Sequence, residues 1–260
     1  MSKFICTLFS GLLLLACFGC GGGGSTTPSP VPGPQLAGNY SFSLGTVGSI
    51  GGLLNTTAGN VTGNIVLSDA TVCSVGVFNV FGSIKPSGEL ALSASAAGAS
   101  LTLNANVSSD AKAISGGTFT LTGIPGCVAN GQATGFQVQD LNGVYSGTLT
   151  LTDGGVGTPI TWSGALSQKL LNTGFIGLTG GDATLGGIPA VCGFTTSTFS
   201  VVGGGFVFGT HSTGNFQGGA NGFNFKADAT DATAKTLNVS MFVQGGPCAG
   251  DTVVGTISRP

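Results

Sequence analysis

The sequence predicts an all-β protein: two tandem antiparallel β-barrel or β-sandwich domains from an internal duplication, preceded by a signal peptide and a flexible tether. Three observations carry that expectation. Apolar residues recur with a period of two, no window shows the i, i+3, i+4, i+7 stripe of an amphipathic helix, and both an opening motif and a cysteine pair occur twice. Composition narrows it further. Charged residues make up 6% of the 260, against roughly 25% in an ordinary globular domain, so Ser, Thr, Asn and Gly must cover most of the surface. Nucleic acid is excluded as a partner, because releasing phosphate counterions takes clustered Lys or Arg, and the 7 present are scattered singly. Disorder is disfavoured as well, since 41% of the residues are hydrophobic.

The first element is an apolar run from Phe4 to Phe18, with Lys3 the only charge before Asp69. The run is too short to span a hydrocarbon core of ~30 Å as a helix and reads as the apolar region of a signal peptide. It ends in Leu14-Leu15-Ala16-Cys17, then Phe18-Gly19-Cys20 and the glycines 21–24. These residues resemble the lipobox of bacterial lipoproteins, in which an aliphatic residue, a tolerant position and a small residue precede a cysteine that is diacylated on sulfur after cleavage. The resemblance implies a signal peptide over residues 1–19, with cleavage before Cys17 or Cys20 and lipidation of that cysteine. It covers only the first 25 residues, and it implies anchorage in the cell envelope, probed first at the outer membrane because no Asp follows either cysteine.

Residues 20–35 form the next element, a tether with Gly21–Gly24 followed by Pro28, Pro30, Pro32 and Pro34. Glycine-rich chain is flexible and spaced prolines favour an extended conformation, so this stretch is a spacer that stiffens toward its end.

From Leu36 onward the strands begin. Tyr40, Phe42 and Leu44 alternate with serines; Leu90, Leu92, Ala94 and Ala96, then Leu101, Leu103, Ala105 and Val107, alternate with small or polar residues. Ile160, Trp162, Gly164 and Leu166 repeat the pattern, as do Leu237, Val239, Met241 and Val243. Turn-forming stretches such as Pro86-Ser87-Gly88 and Ser108-Ser109-Asp110 separate them at hairpin spacing, and without crossover helices the sheet must be antiparallel. The opening Leu36-Ala-Gly38-Asn-Tyr40 matches Leu141-Asn-Gly143-Val-Tyr145 at an offset of 105. Domains are therefore expected at 36–139 and 140–260, each with room for seven or eight strands. This mature region resembles duplicated β-domain envelope lipoproteins, and the L-x-G-x-Y opening is faintly similar to the first strand of lipocalin and avidin barrels, which implies an aromatic plug at one barrel end. A membrane-spanning barrel is disfavoured because the alternating segments lack terminal aromatic girdles.

Four cysteines follow the tether. Cys73 and Cys127 lie 54 positions apart, Cys192 and Cys248 lie 56 apart, and their local contexts match. In an oxidising compartment these read as two disulfides. Three pairings are open, of which the duplication favours Cys73 with Cys127 and Cys192 with Cys248. No metal site is expected, since these four include no C-x-x-C pair and the single histidine, His211, lies near neither pair in sequence.

Catalytic groups are scarce. Glu89 is the only glutamate and reads as a solvated strand-start residue. Asp228 and Asp231 fall in a stretch, 226–235, that reads as a polar hairpin loop, and His211 falls in a Gly-bounded turn with no nucleophile elbow near it. Gly203-Gly204-Gly205 is no phosphate loop, because no helix follows. The expectation is a protein without catalytic residues or cofactor, anchored to the membrane by its N-terminal lipid. It would bind an envelope protein, a glycan or a small apolar ligand, with Tyr145, Trp162, Phe206 and Phe208, joined by Phe223 and Phe225, as the aromatic stock for a ligand site. Two alternatives stand beside it: a hydrolase using His211 or Asp228 and Asp231, and a surface coat or adhesion subunit.

Overall fold

The computed structural model describes residues 32–68, 76–124, 129–153, 156–202 and 205–260. Cys17, Cys20, Cys73 and Cys127 lie outside the described residues, so neither the lipidation expectation nor the first disulfide is addressed by it.

The alternating segments form strands whose apolar members all turn to one side. In β6 (Ala99–Val107) burial alternates at every residue, as it must when side chains point to opposite faces of a pleated strand and one face meets a core. Eight such strands make the first barrel: β1 (Ala37–Ser43), β2 (Ser49–Thr57), β3 (Asn60–Ser68), β4 (Val77–Ile84), β5 (Glu89–Ala96), β6, β7 (Ala113–Thr122) and β8 (Ala129–Gln137). Each pairs antiparallel with its sequence neighbour, and β8 returns to β1 through Phe42↔Gly135, closing the barrel. Two of its hairpins, Ala58-Gly59 between β2 and β3 and Ala97-Gly98 between β5 and β6, have positive φ at both loop residues. That is the type I′ geometry, whose twist matches the strands it joins.

The second half contains β9 (Gly143–Asp153), β10 (Val156–Leu170), β11 (Ile176–Gly180), β12 (Asp182–Gly186), β13 (Thr198–Val201), β14 (Gly205–Phe208), β15 (His211–Gly218), β16 (Asn221–Ala229), β17 (Thr236–Gln244) and β18 (Thr252–Ser258). β10 pairs β11 through Leu170↔Ile176 and β12 through Trp162↔Leu185, the ladder slipping by one residue in between. β11 pairs β14, β12 pairs β13, and β15 pairs both β13 and β14. Thus β11–β12 and β13–β14 are two broken strands, and the β15–β16 pairing closes a ring of eight strand positions like that of the first half. The first break falls at Gly181, where a Cβ would stand 1.7 Å from Ala165 O, so only glycine fits. Among the described strands each sheet thus returns to its first strand, which limits the open edge that this lysine-poor chain has few charges to protect.

Pro32–Pro260 packs as one unit. β14 lies against β1, β2 and β3 of the first barrel. Val138, in the connector, is 3% exposed and belongs to the second core, while Leu53 and Phe136 of the first barrel pack against that core from outside.

Candidate functional site

Both barrel ends nearest the connector are closed by one arrangement used twice. Tyr40 on β1 donates its hydroxyl to Ala111 O at 2.9 Å, and Tyr145 on β9 donates to Ala234 O at 2.8 Å. Ala111 and Ala234 both have left-handed backbone, φ 59 and φ 49, in the turns that precede β7 and β17. Beside them Gln137 N–H donates to Lys112 O, and Arg259 N–H donates to Lys235 O. The side chain of Gln137 then reaches Ala37 O, while the guanidinium of Arg259 reaches Asn142 O and Thr233 O. Ala37 and Asn142 occupy the same place relative to the two tyrosines, so the duplication read from the first strands extends to the last two strands of each barrel. Asp110-Ala111-Lys112 and Thr233-Ala234-Lys235 are the sequence signal of this match, and the strand openings alone do not show it.

Burial pushes the Tyr40 and Tyr145 hydroxyls above the usual phenol value, the cation of Arg259 opposing it at Tyr145. The guanidinium lies 5.6 Å from the Tyr145 ring. Asp110 and Asp231 sit at matching turns and are both held below the usual carboxylate range, Asp110 by the Ser108 hydroxyl and the Lys112 N–H, Asp231 by the Thr233 hydroxyl and N–H.

The aromatic residues divide. Tyr145 and Trp162 are core residues, with Trp162 packed edge-on to Phe216 at 5.3 Å and stacked on Phe225 at 5.9 Å. Phe223 stacks on Phe194 at the same core. Phe206 and Phe208 alternate with buried Gly205 and Val207, so they face away from the core, stack on each other at 5.7 Å and meet Phe175 edge-on. They lie on the strand that docks on the first barrel. Among the described residues Trp162 Nε1 finds no hydrogen-bond partner.

The polar candidates are rearranged relative to expectation. His211 opens β15 instead of lying in a turn, and β16 extends through Ala229, so Asp228 is a strand residue and only the stretch after Ala229 is loop. His211 and Asp228 are direct cross-strand partners, with Nδ1 and Oδ1 2.8 Å apart. Asp231 instead accepts from Thr233 in its own turn. The neighbouring Ser212 is buried and donates to Ala227 O. Glu89 pairs with Lys85 across the turn before β5. Cys192 and Cys248 form a disulfide with Cα atoms 4.9 Å apart, joining the loop before β13 to the turn before β18. Among the described residues no cluster of three or more His, Cys, Asp or Glu is placed to hold a metal.

Clefts of the described surface are lined by outer-wall, loop and junction residues. One, about 600 Å3, lies at the junction between Gly38, Gln137, Gln139, Asp140, Asn142 and Arg259. Its Gln137, Arg259 and Asp140 side chains already serve carbonyls or Gln168. A second, about 400 Å3, runs over the outer wall of the first barrel across β4 to β7.

No protein-family model matches the chain, and no curated protein matches it significantly. Two solved structures are similar to it. One is isotype 1 transferrin binding protein B from serogroup B Neisseria meningitidis, with 9% identity over 82% of this chain and 58% of that one, at a TM-score of 0.28. The other is a protein of unknown function from the DUF3598 family of Nostoc punctiforme PCC 73102, with 11% identity over 88% of this chain and 96% of that one, also at 0.28. The chain thus spans 58% of the length of the first.

Proposed function

We propose that this chain is an exported, lipid-tethered, non-catalytic binding protein of the cell envelope, carrying its two β domains, 36–139 and 140–260, on a Gly/Pro-rich spacer. The observation that supports binding over catalysis or interior carriage is the filling of both barrels. Tyr40 and Tyr145 plug equivalent ends, and Trp162 with Phe216 and Phe225 occupies the second interior, which leaves the outer walls and end loops as contact surface. The disulfide at the opposite end of the second barrel suits an oxidising compartment. The anchor rests on the run ending at Cys17 and Cys20.

Metabolic labelling with a fatty-acid analogue tests the anchor. The wild type takes the label and the Cys17→Ala, Cys20→Ala double variant does not; label persisting in the double variant would refute lipidation at these cysteines. Fractionation then assigns the membrane, with the outer membrane expected.

A hydrolase is the second reading, favoured by the 2.8 Å contact between His211 and Asp228. A screen of ester and glycoside substrates decides it: turnover that His211→Ala abolishes would replace the binding reading.

A further inference from the structure

The outer wall of the first barrel carries a polar groove in which Lys85 and Glu89 pair with each other and the side-chain amides of Asn104 and Asn106 face solvent. Outward-facing residues fall into rungs across four strands. Ser83, Ala91, Asn104 and Thr118 form one rung, and Phe81, Ser93, Thr102 and Thr120 form the next. Glu89 and Asn106 stand opposite each other on the far side of the first rung. Ala91 keeps the floor low, and the bulge in β7 between Ile114 and Gly117 places Gly116 at the rim without a side chain. The result is the cleft of about 400 Å3 lined by Ser83, Lys85, Glu89, Asn104, Asn106 and Thr118. Three rungs span about 13 Å at strand rise, enough for two or three sugar rings.

We infer that this groove binds a neutral oligosaccharide, an assignment that rests on the non-catalytic binding reading above and names its ligand class. Charge argues against an anion. Lys85 and Glu89 neutralise each other, so no net positive field selects phosphate or sulfate. The side chains of Asn104 and Asn106 are exposed and hydrogen-bond to no other group among the described residues, so two amides two residues apart on one face present both donors and acceptors, the complement of vicinal hydroxyls. Phe81 is 63% exposed, one rung from Ser83 on the same face, and offers an apolar ring on which the C–H face of a sugar can stack. A small apolar ligand is a poor fit, because the groove is open and polar.

The experiment uses the full lipidated chain in a detergent without a sugar headgroup. Chitotetraose, cellotetraose and maltotetraose are titrated by calorimetry, with a heparin tetrasaccharide as the anionic comparison. At least one neutral tetrasaccharide binds, and Phe81→Ala and the Asn104→Ala, Asn106→Ala pair each weaken it by about tenfold or more. Thr148→Ala, on the outer wall of the second barrel, leaves affinity unchanged. Absence of binding to all three neutral sugars, binding untouched by the groove substitutions, or equal binding of heparin overturns the assignment. Fatty-acid labelling of the same preparation separates the two readings: a labelled protein that ignores every sugar sinks the glycan assignment alone, and an unlabelled one sinks the anchor alone.

Discussion

The side-chain amide of Asn39 clamps the backbone of Gly209. Its Nδ2 donates to Gly209 O at 2.7 Å and its Oδ1 accepts from Gly209 N–H at 2.7 Å, with the asparagine only 3% exposed. One residue belongs to the first strand of one barrel and the other to the β14–β15 turn of the second. The approach is close enough that a Cβ on Gly51 would lie 2.4 Å from Gly209 Cα, and Gly209 itself has φ 59. Two glycines and one amide thus form the centre of a docking surface to which Leu53 and Phe136 add apolar packing.

Replacing that amide should loosen the docking. Asn39→Ala leaves a buried N–H and a buried carbonyl without partners, which costs about 2 kcal/mol or more. Asn39→Asp keeps the acceptor, loses the donor and adds a buried charge, so it should cost at least as much. Trp162 is the only tryptophan, so fluorescence follows the second barrel alone. Urea transitions read by fluorescence and by circular dichroism, coincident in the wild type, should separate in both variants.

The tyrosine plugs set alkaline stability. Both phenols are raised by burial, so the stability they contribute is intact below the ordinary value of 10.0 and is lost as pH climbs through their raised folded values. These are the only tyrosines in the chain. Phenolate absorbance should therefore appear above pH 10.0 and coincide with loss of the β-sheet signal. Tyr40→Phe and Tyr145→Phe should each destabilise by about 1 kcal/mol, by stranding the carbonyls of Ala111 and Ala234.

At acid pH the sign reverses. Asp110 and Asp231 are held below the ordinary value of 3.8 by turn hydroxyls and N–H groups. Their stabilisation is present above that value and disappears as pH falls through the depressed folded values. The Asp110→Asn, Asp231→Asn double variant should be less stable than the wild type at neutral pH and equal to it at strongly acid pH. Denaturation midpoints across the range check this, and a constant difference would refute it.

Removing the second disulfide should be costly. The bridge between Cys192 and Cys248 spans 56 positions. Closing a loop of that length contributes about 4 kcal/mol in the chain-entropy account. Cys192→Ala, Cys248→Ala should lower the Trp162 unfolding midpoint accordingly.

Two hairpins invite stabilisation. Ala58 and Ala97 have φ 50 and φ 40 in two-residue loops that end in glycine. Asparagine adopts that backbone more readily than alanine, so Ala58→Asn and Ala97→Asn should each raise stability by about 0.5 to 1 kcal/mol, measured as the shift in thermal midpoint.

Fold class was legible from the chain alone because strand alternation is a local property. A pleat sends successive side chains to opposite faces, so Leu101, Leu103, Ala105 and Val107 declare a half-buried strand without reference to any partner. The Cys192–Cys248 pairing was legible for a related reason, since duplication restricts the sensible partners. What tertiary structure alone decided depends on register and docking, which no local pattern encodes. His211 looked like a turn residue until β15 and β16 paired and set it opposite Asp228. Asn39 looked like one polar position in an alternating strand until the turn at Gly209 arrived 170 positions later to meet it. Phe206 and Phe208 share their strand with Val207, and composition cannot tell which side meets a core; the break of β13–β14 and the contact with the first barrel turned those two rings outward. The groove beside Phe81 likewise exists only because four separate strands bring Ser83, Glu89, Asn104, Asn106 and Thr118 to one side of a closed wall.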